Sequence, residues 1–282
     1  MGLMIEHGTG AVGASVRGIS LQALAEGEFE QIRSLVHERG VVAIKDQDLS
    51  EPEQIGFARR FGELQKIFIK EALSTNYPEL FFVSNIAENG KPKGSTDAGR
   101  FWHTDGAYLT TPHIVSMLYA IEVPTRDGVA LGDTDFIGMG AAYDALPDST
   151  RQNIDALRAT HDVNHRYGRS ENAEAMLKRT AQFPPASHPL VIRHPATGRR
   201  CLYLSEGYTS SISGLPEAEG AALLAELFEH VQRPAFRYRH SWAPGDLLIW
   251  DNLGTLHRAN FDYALPQRRL MRRATVGGTA LG

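Results

Sequence analysis

Ile114-Val115-Ser116-Met117-Leu118-Tyr119-Ala120-Ile121-Glu122-Val123 is the most strand-like stretch of the chain. It is rich in residues that pack well on a pleated surface, contains no glycine, and stops at Pro124, which cannot continue a ladder. On its C-terminal side, short apolar runs at 133–136, 190–193, 201–204, 236–242, 246–250 and 269–276 read as further strands, with Thr197-Gly198 turning a hairpin. On its N-terminal side the signals alternate. Phe29, Ile32, Leu35 and Val36 recur at helical spacing and Gly40 stops the helix, after which 41–44 is a short buried strand. Ser50-Glu51-Pro52-Glu53 is a capping box that opens a helix through Phe61, and 80–84 is another strand. Two later helices are expected, at 140–146 and at 216–231, the second with an apolar stripe of Leu223, Leu224, Leu227 and Phe228. Many strands with flanking helices predict a mixed, β-rich fold: a closed sandwich or jelly roll with helical additions.

No shift in composition marks a linker, so residues 1–282 read as one domain. Loop-like composition over 90–99 and 167–187 is long for a compact domain, and the segments 86–100 and 165–188 are candidate lids over a site. The formal net charge of −4 gives no electrostatic reason to expect nucleic acid, although a small anion can still enter a locally basic pocket. The single cysteine, Cys201, precludes an intrachain disulfide and fits a reducing cytoplasm. Residues 1–20 carry Glu6, His7 and Arg17 with no apolar core of a leader, and no run of about 18 apolar residues suggests a membrane span.

Chemistry is suggested first by His103-Thr104-Asp105, placed where a strand is expected to begin. Residues two apart on a strand share a face, so His103 and Asp105 can converge on one ion. A third ligand from a distant strand would complete a two-histidine, one-carboxylate triad, which leaves positions open for oxygen and a chelating co-substrate. In a chain with 11 histidines the tripeptide alone is close to a chance match, and a strand-end histidine bonded to its neighbouring aspartate explains it equally. The wider pattern adds weight. Trp250-Asp251-Asn252 ends a buried strand, and His257 follows just before a turn into Arg269-Leu270-Met271-Arg272-Arg273-Ala274-Thr275. By period two, Arg269, Met271, Arg273 and Thr275 share a face; if it lines a barrel, two guanidinium groups point inward and need anions. On an edge strand the same arginines would be a guard against aggregation. His113, His161, His165, His188, His194, His230 and His240 read as structural or surface groups, Trp102 and Trp250 as packing, and Tyr108 equally as core or pocket wall.

These motifs come in the order used by one family. Phe61-Gly62-Glu63-Leu64, Phe68-Ile69-Lys70, Ser84-Asn85, Trp102-His103-Thr104-Asp105, Gly132-Asp133-Thr134, Ala142-Tyr143-Asp144-Ala145-Leu146-Pro147, His188-Pro189-Leu190-Val191, His194-Pro195-Ala196-Thr197-Gly198, Trp250-Asp251-Asn252, His257-Arg258-Ala259 and the terminal arginine strand together resemble the taurine dioxygenase and chlorophenoxyacetate dioxygenase family over nearly the whole chain. The resemblance implies a double-stranded β-helix and iron(II) held by His103, Asp105 and His257. It implies that Thr134 and Arg269 grip the distal carboxylate of 2-oxoglutarate and that Arg273 meets an acidic group of the substrate. The implied reaction is an O2-dependent hydroxylation of a small organic acid (aryloxyalkanoate-, sulfonate- or amino-acid-like), with succinate and CO2 as co-products, in an enzyme that is a homo-oligomer. Desaturation or another oxidative outcome on a biosynthetic intermediate would use the same cofactors. A metal-dependent hydrolase would leave Arg269 and Thr134 without a role, and a binding protein would not need the intact ligand set.

Three departures stand out. Leu131 precedes Gly132 where the family has a second glycine, which is expected to alter loop packing. Counting forward from His257 selects Arg268 as the carboxylate anchor, whereas strand alternation selects Arg269. Ile67, Lys70 and Gly99 stand where taurine enzymes carry polar sulfonate contacts, which points away from taurine and toward the aryloxyacetate branch. Lys70 either faces a substrate carboxylate or is solvated.

Overall fold

The computed structural model describes residues 2–66, 74, 76–88, 90–96, 99–165 and 173–281. The stretch 114–123 becomes the strand Val115–Glu122, an interior member of a seven-stranded sheet. Across that sheet the order is Met4–His7, Ala14–Arg17, Val41–Ile44, Leu247–Asp251, Val115–Glu122, Leu270–Val276 and Phe81–Ser84. Only the Ala14–Arg17 and Val41–Ile44 pair is parallel. A three-stranded sheet of Arg237–His240, Thr134–Gly138 and Thr255–Ala259 lies against it, and a second of Ala186–Pro189, Arg158–His161 and Thr209–Ser213 stands beyond.

Alternation along the interior strands decides what each face packs against. Val115, Met117 and Tyr119 join Val42, Ile44, Ile249 and Val276 in a core shared with the helices Glu26–Arg39 and Glu51–Arg59. Leu118 and Ala120, with Val41, Ala43, Leu248, Trp250 and Met271, face Phe136 of the three-stranded sheet. Two sheets thus close on one apolar layer, and the polar residues of that same face, Ser116, Arg273 and Thr275, collect at its end, where the site forms.

Local signals account for the helices. Phe29, Ile32, Leu35 and Val36 are the buried stripe of Glu26–Arg39. Gly40 ends that helix at φ +70°, and a Cβ there would lie 2.6 Å from Thr255 Cγ2, so glycine is required by conformation and by space. The Ser50/Glu53 capping box forms as expected. The stretch 167–187 is not simply a loop: it contains the helix Ala173–Gln182 and enters the strand Ala186–Pro189. Its amphipathic pattern is short and polar, and so escapes a search for long apolar stripes. The helix Asp148–Ile154 is likewise an addition to the expected elements. Residues 86–96 hold a small hairpin, Ala87–Glu88 with Lys91–Pro92, tied to the sheet edge by Ser84 N–H donating to Ser95 O.

The arginine strand is interior, between Val115–Glu122 and Phe81–Ser84, so its arginines do not guard an edge. Arg272 points away from the other arginines into the helix side. There its Nε donates to Gln54 Oε1 (2.6 Å) and its Nη2 to Leu49 O (2.5 Å), with the guanidinium 5.2 Å from the Tyr119 ring. Removing it strands two buried acceptors. Arg272→Ala is expected to lower the free energy of unfolding by about 2–4 kcal/mol, read from the urea midpoint; an unchanged midpoint would contradict this role.

Candidate metal centre and co-substrate pocket

Two backbone hydrogen bonds set the first two candidate ligands side by side. His103 N–H donates to His257 O (3.1 Å) and His257 N–H donates to His103 O (2.8 Å). This single bridge is all the β-structure in the tripeptide: Asp105 already lies in a turn, so the expected strand start is corrected. His257 stands in the middle of Thr255–Ala259 rather than before a turn. The two imidazoles are 4.1 Å apart, and His257 is walled by Trp250 (4.9 Å) and stacked near Phe136 (5.9 Å).

Asp105 Oδ1 lies 3.6 Å from His103 Nε2 and 3.7 Å from His257 Nε2. These separations are too long for hydrogen bonds, and they suit three atoms that each bond one ion at about 2.1 Å. The tautomer agrees: His103 Nδ1 is 2.8 Å from Phe101 O, which places the ring proton there and turns the Nε2 lone pair toward the centre. All three side chains are buried. Burial pushes the Asp105 carboxyl up, but Arg273 and the two histidines overcome it and hold it well below the usual range. Burial, with His103 beside it, keeps His257 far below its ordinary value and hence neutral. An anionic oxygen and two imidazole nitrogens turned toward one point are the donor set a divalent transition metal takes.

A second group with the same composition, His37, His194 and Asp251, also converges. Its geometry is different. His37 Nδ1 and His194 Nε2 sit 2.6 and 2.9 Å from the same Asp251 oxygen, which is hydrogen-bond contact. His194 Nδ1 accepts from the N–H groups of Ala196 (3.2 Å) and Thr197 (3.3 Å), so the ring proton is on Nε2, facing the carboxylate. Protons fill the place a metal would need. This cluster is a clasp joining the first long helix to the end of Leu247–Asp251.

Of the expected co-substrate residues, Arg269 lies beside Gly132, two residues before Thr134 in the chain. Arg269 is buried at 2% exposure, its Nε has no partner, and among the described residues no carboxylate pairs with it. Its guanidinium is 5.7 Å from the Tyr263 ring, and burial lowers its pKa, with Tyr263 opposing. Arg268 turns outward, 54% exposed, and pairs with Glu122 at 2.8 Å. Gly132, at φ +74°, makes room: a Cβ there would lie 2.9 Å from Tyr263 and 3.3 Å from Arg269 Nε. Thr134 is on the same face as His257, since its strand pairs Phe136 with His257, and its hydroxyl accepts from Trp242 Nε1 at 3.1 Å.

Arg273 is also inward, but it already has partners. Its Nη2 is 2.6 Å from Asp105 Oδ2 and 3.4 Å from Ser116 Oγ, and its Nε donates to Thr275 Oγ1 (3.1 Å). Nη1 is left without a partner among the described residues. Tyr108 is half-buried and packs edge-on against Tyr208 (5.0 Å) and Phe183 (5.5 Å), and Tyr208 reaches within 6.0 Å of the His103 ring. Burial, and then Asp105, raises the Tyr108 phenol. Lys70 and Ile67 lie outside the described residues. Trp102 and Trp250 are buried as expected. Ser116, Tyr208, Phe183 and Tyr263 join the site without having stood out in the sequence, as does Asn252, which the sequence marks only as the end of a motif. Ser116 has a signal, a lone hydroxyl in an apolar strand, whereas the aromatic residues are brought in by loops with no period to read.

Comparison with known proteins fits this arrangement. The family model described as "Taurine catabolism dioxygenase TauD, TfdA family" matches residues 5–275. The "Alpha-ketoglutarate-dependent 2,4-dichlorophenoxyacetate dioxygenase" of Cupriavidus pinatubonensis is 39% identical over 275 residues, covering 93% of both chains. The "Pentalenolactone F synthase" of Streptomyces arenae is 32% identical over 278 residues, covering 93% of this chain and 91% of its own. A crystal structure of AAD-2 in complex with Mn(II) and N-oxalylglycine superposes with a TM-score of 0.84 at 32% identity, covering 99% of this chain and 98% of that one. The class is therefore the iron(II)- and 2-oxoglutarate-dependent dioxygenases. Within that class, the chain belongs to the TauD/TfdA family.

The clasp makes a prediction. Burial opposes ionisation of Asp251, but the hydrogen bonds from His194 and His37 prevail and bring its pKa from 3.8 down to about 2. A depressed carboxylate stabilises the fold fully above its ordinary value and loses that contribution as pH falls through the folded value. About 2 kcal/mol should disappear between pH 5 and pH 2. Urea midpoints followed over that window should fall less steeply in Asp251→Asn than in the parent; parallel slopes would contradict the assignment.

Proposed function

We propose that His103, Asp105 and His257 hold iron(II), that Thr134 and Arg269 hold the distal carboxylate of 2-oxoglutarate, and that the enzyme hydroxylates a small organic acid. The supporting observation is the pairing of the open triad with Arg269, a buried cation whose Nε lacks a partner. A buried guanidinium with no carboxylate beside it is costly, and a dicarboxylate that binds between it and the metal satisfies both. A hydrolytic metal site would have no such need. When bound, iron(II) with 2-oxoglutarate and O2 supplies the oxidation, releases succinate and CO2, and delivers one oxygen atom to the substrate. The chain's own residues bind and orient: Arg269 as a two-pronged carboxylate grip, the Thr134 hydroxyl beside it, and Phe136, Trp250 and Trp242 as a dry wall.

For the substrate, an acid with a flat aromatic body fits best. Arg273 offers its remaining N–H groups to the acid, and Tyr108, Tyr208 and Phe183 form an aromatic wall beside His103. Relatives named for dichlorophenoxyacetate and for (S)-phenoxypropionate support an aryloxyalkanoate. The relative named pentalenolactone F synthase supports, as the second reading, a different oxidative outcome on a biosynthetic intermediate. The proposed frame is a double-stranded β-helix, supported by the two face-to-face sheets, in a single domain over 1–282; the candidate lids 86–100 and 165–188 lie in part outside the described residues. No helix among the described residues is long and apolar enough to cross a membrane. We place the enzyme in the cytoplasm as a homo-oligomer acting on a free small molecule, without nucleic acid or membrane; a net charge of −4 and one buried cysteine agree.

Anaerobic addition of iron(II) and 2-oxoglutarate should produce a visible charge-transfer band, and His257→Ala should abolish it. Arg269→Ala should retain iron but raise the 2-oxoglutarate needed for half the band by roughly 30-fold or more. A parent that binds iron but gives no band would defeat the co-substrate assignment. Succinate release should be stimulated more by aryloxy acids than by sulfonates or amino acids. If no acid stimulates it, Arg273 does not bind a substrate acid.

A further inference from the structure

Asp105 has two oxygens, and the fold treats them differently. Oδ1 faces the histidines, while Oδ2 accepts from Ser116 Oγ (2.7 Å) and pairs with Arg273 Nη2 (2.6 Å). Behind Ser116 stands Asn252, whose Nδ2 donates to Ser116 Oγ at 3.0 Å. A hydroxyl has one proton. With its lone pairs facing Asn252 and Arg273, Ser116 directs that proton to Asp105. Asn252 cannot turn over, because its Oδ1 accepts from Trp250 Nε1 (3.0 Å) and faces the Asp105 backbone N–H (3.3 Å). Thr104 Oγ donates to Asn252 O at 2.5 Å and ties the metal turn to the same residue. Ser116, Asn252 and Thr104 are all buried to 2% exposure or less. The result is a one-way chain of donors, Trp250 to Asn252 to Ser116 to Asp105.

We propose that Ser116 and Asn252 are positioning residues that restrict Asp105 to one-oxygen ligation of the metal. This rests on Asp105 being a ligand, as proposed above. To present both oxygens to an ion, the carboxylate would have to turn Oδ2 away from Ser116 and Arg273, leaving the buried Ser116 proton without its acceptor and the half-buried Arg273 guanidinium without its carboxylate. A carboxylate that uses one oxygen takes one coordination position, and the facial set keeps three for its other ligands. Two-oxygen ligation would use one of the three. The chain thereby sets the coordination number, which the three ligands alone do not.

The test uses the full-length apo protein titrated with Co(II) in competition with a chelator, together with the visible spectrum of the Co(II) protein, whose intensity falls as coordination number rises. Ser116→Ala and Asn252→Asp are compared with the parent. In Asn252→Asp the new carboxylate accepts where the amide donated and draws the Ser116 proton away from Asp105. Both variants should bind Co(II) about 10–100-fold more weakly, or with a visibly weaker spectrum, while the apo proteins keep the parent's near-ultraviolet circular dichroism. Ser116→Thr, which retains the hydroxyl, should recover most of the parent affinity and spectrum. Parent-like affinity and spectra in Ser116→Ala and Asn252→Asp would overturn the proposal, as would a Ser116→Thr protein indistinguishable from Ser116→Ala. Asp105→Ala serves as the parallel control. If it binds Co(II) as the parent does, the ligand assignment itself fails; if it loses Co(II) while the other two variants do not, only the positioning role fails.

Discussion

The site depends on one reciprocal pair of backbone hydrogen bonds, between His103 and His257. They are far apart in the chain, one at an isolated bridge before a turn and the other within the three-stranded sheet, and the bridge sets their rings 4.1 Å apart. Both present a ring nitrogen to the same point, and burial, with His103 beside it, holds His257 below its ordinary value. The backbone bears that constraint. Because main-chain bonds do not vary with side-chain chemistry, the surrounding positions are left to tune the carboxylate and the proposed co-substrate and substrate contacts separately.

Asp105 is the counterweight. It is the anion among buried cations and dipoles, and Arg273, Ser116 and the histidines all act on it. Comparison with the His37, His194 and Asp251 clasp shows how little composition says on its own. Two histidines and an aspartate appear in both, but in one the backbone accepts the outer ring proton and in the other it donates toward the ring. That reversal decides whether the inner nitrogen carries a lone pair or a proton, and hence whether the cluster suits an ion or a hydrogen bond.

Much of the frame is legible in the sequence because it depends on short-range rules. Strands at 41–44, 80–84, 114–123, 246–250 and 269–276, the capped helix at 50–61 and the amphipathic helix at 216–231 all form within a few residues of those limits. That Arg269 and Arg273 share a face follows from period two; that the face turns inward depends on the sheet laid against it. Long-range pairing is not legible. His257 looks like a turn residue in the sequence because its strand is short and its partners, Thr134–Gly138 and His103, are remote. The helix Ala173–Gln182 reads as loop because its polar residues leave no long apolar stripe. Ser116 and Asn252 give little away because their importance comes from a neighbour brought by folding. Arg273 looks like a free cation in waiting, and only its distance to Asp105 reveals that it is already engaged.

The aromatic residues beside His103 come from connecting segments: Tyr108 from the turn after the metal tripeptide, Phe183 from the end of a helix, and Tyr208 from the approach to Thr209–Ser213. His103, His257, Ser116, Thr134 and Arg273 are anchored on the two facing sheets and their bridge. Loops accept replacement more readily than interior strands. On the proposed function, the oxidising machinery and the surface that selects what is oxidised can thus diverge at different rates. A gene with this architecture can acquire a new diet through a few changes in its loops, while the costly interior is inherited intact.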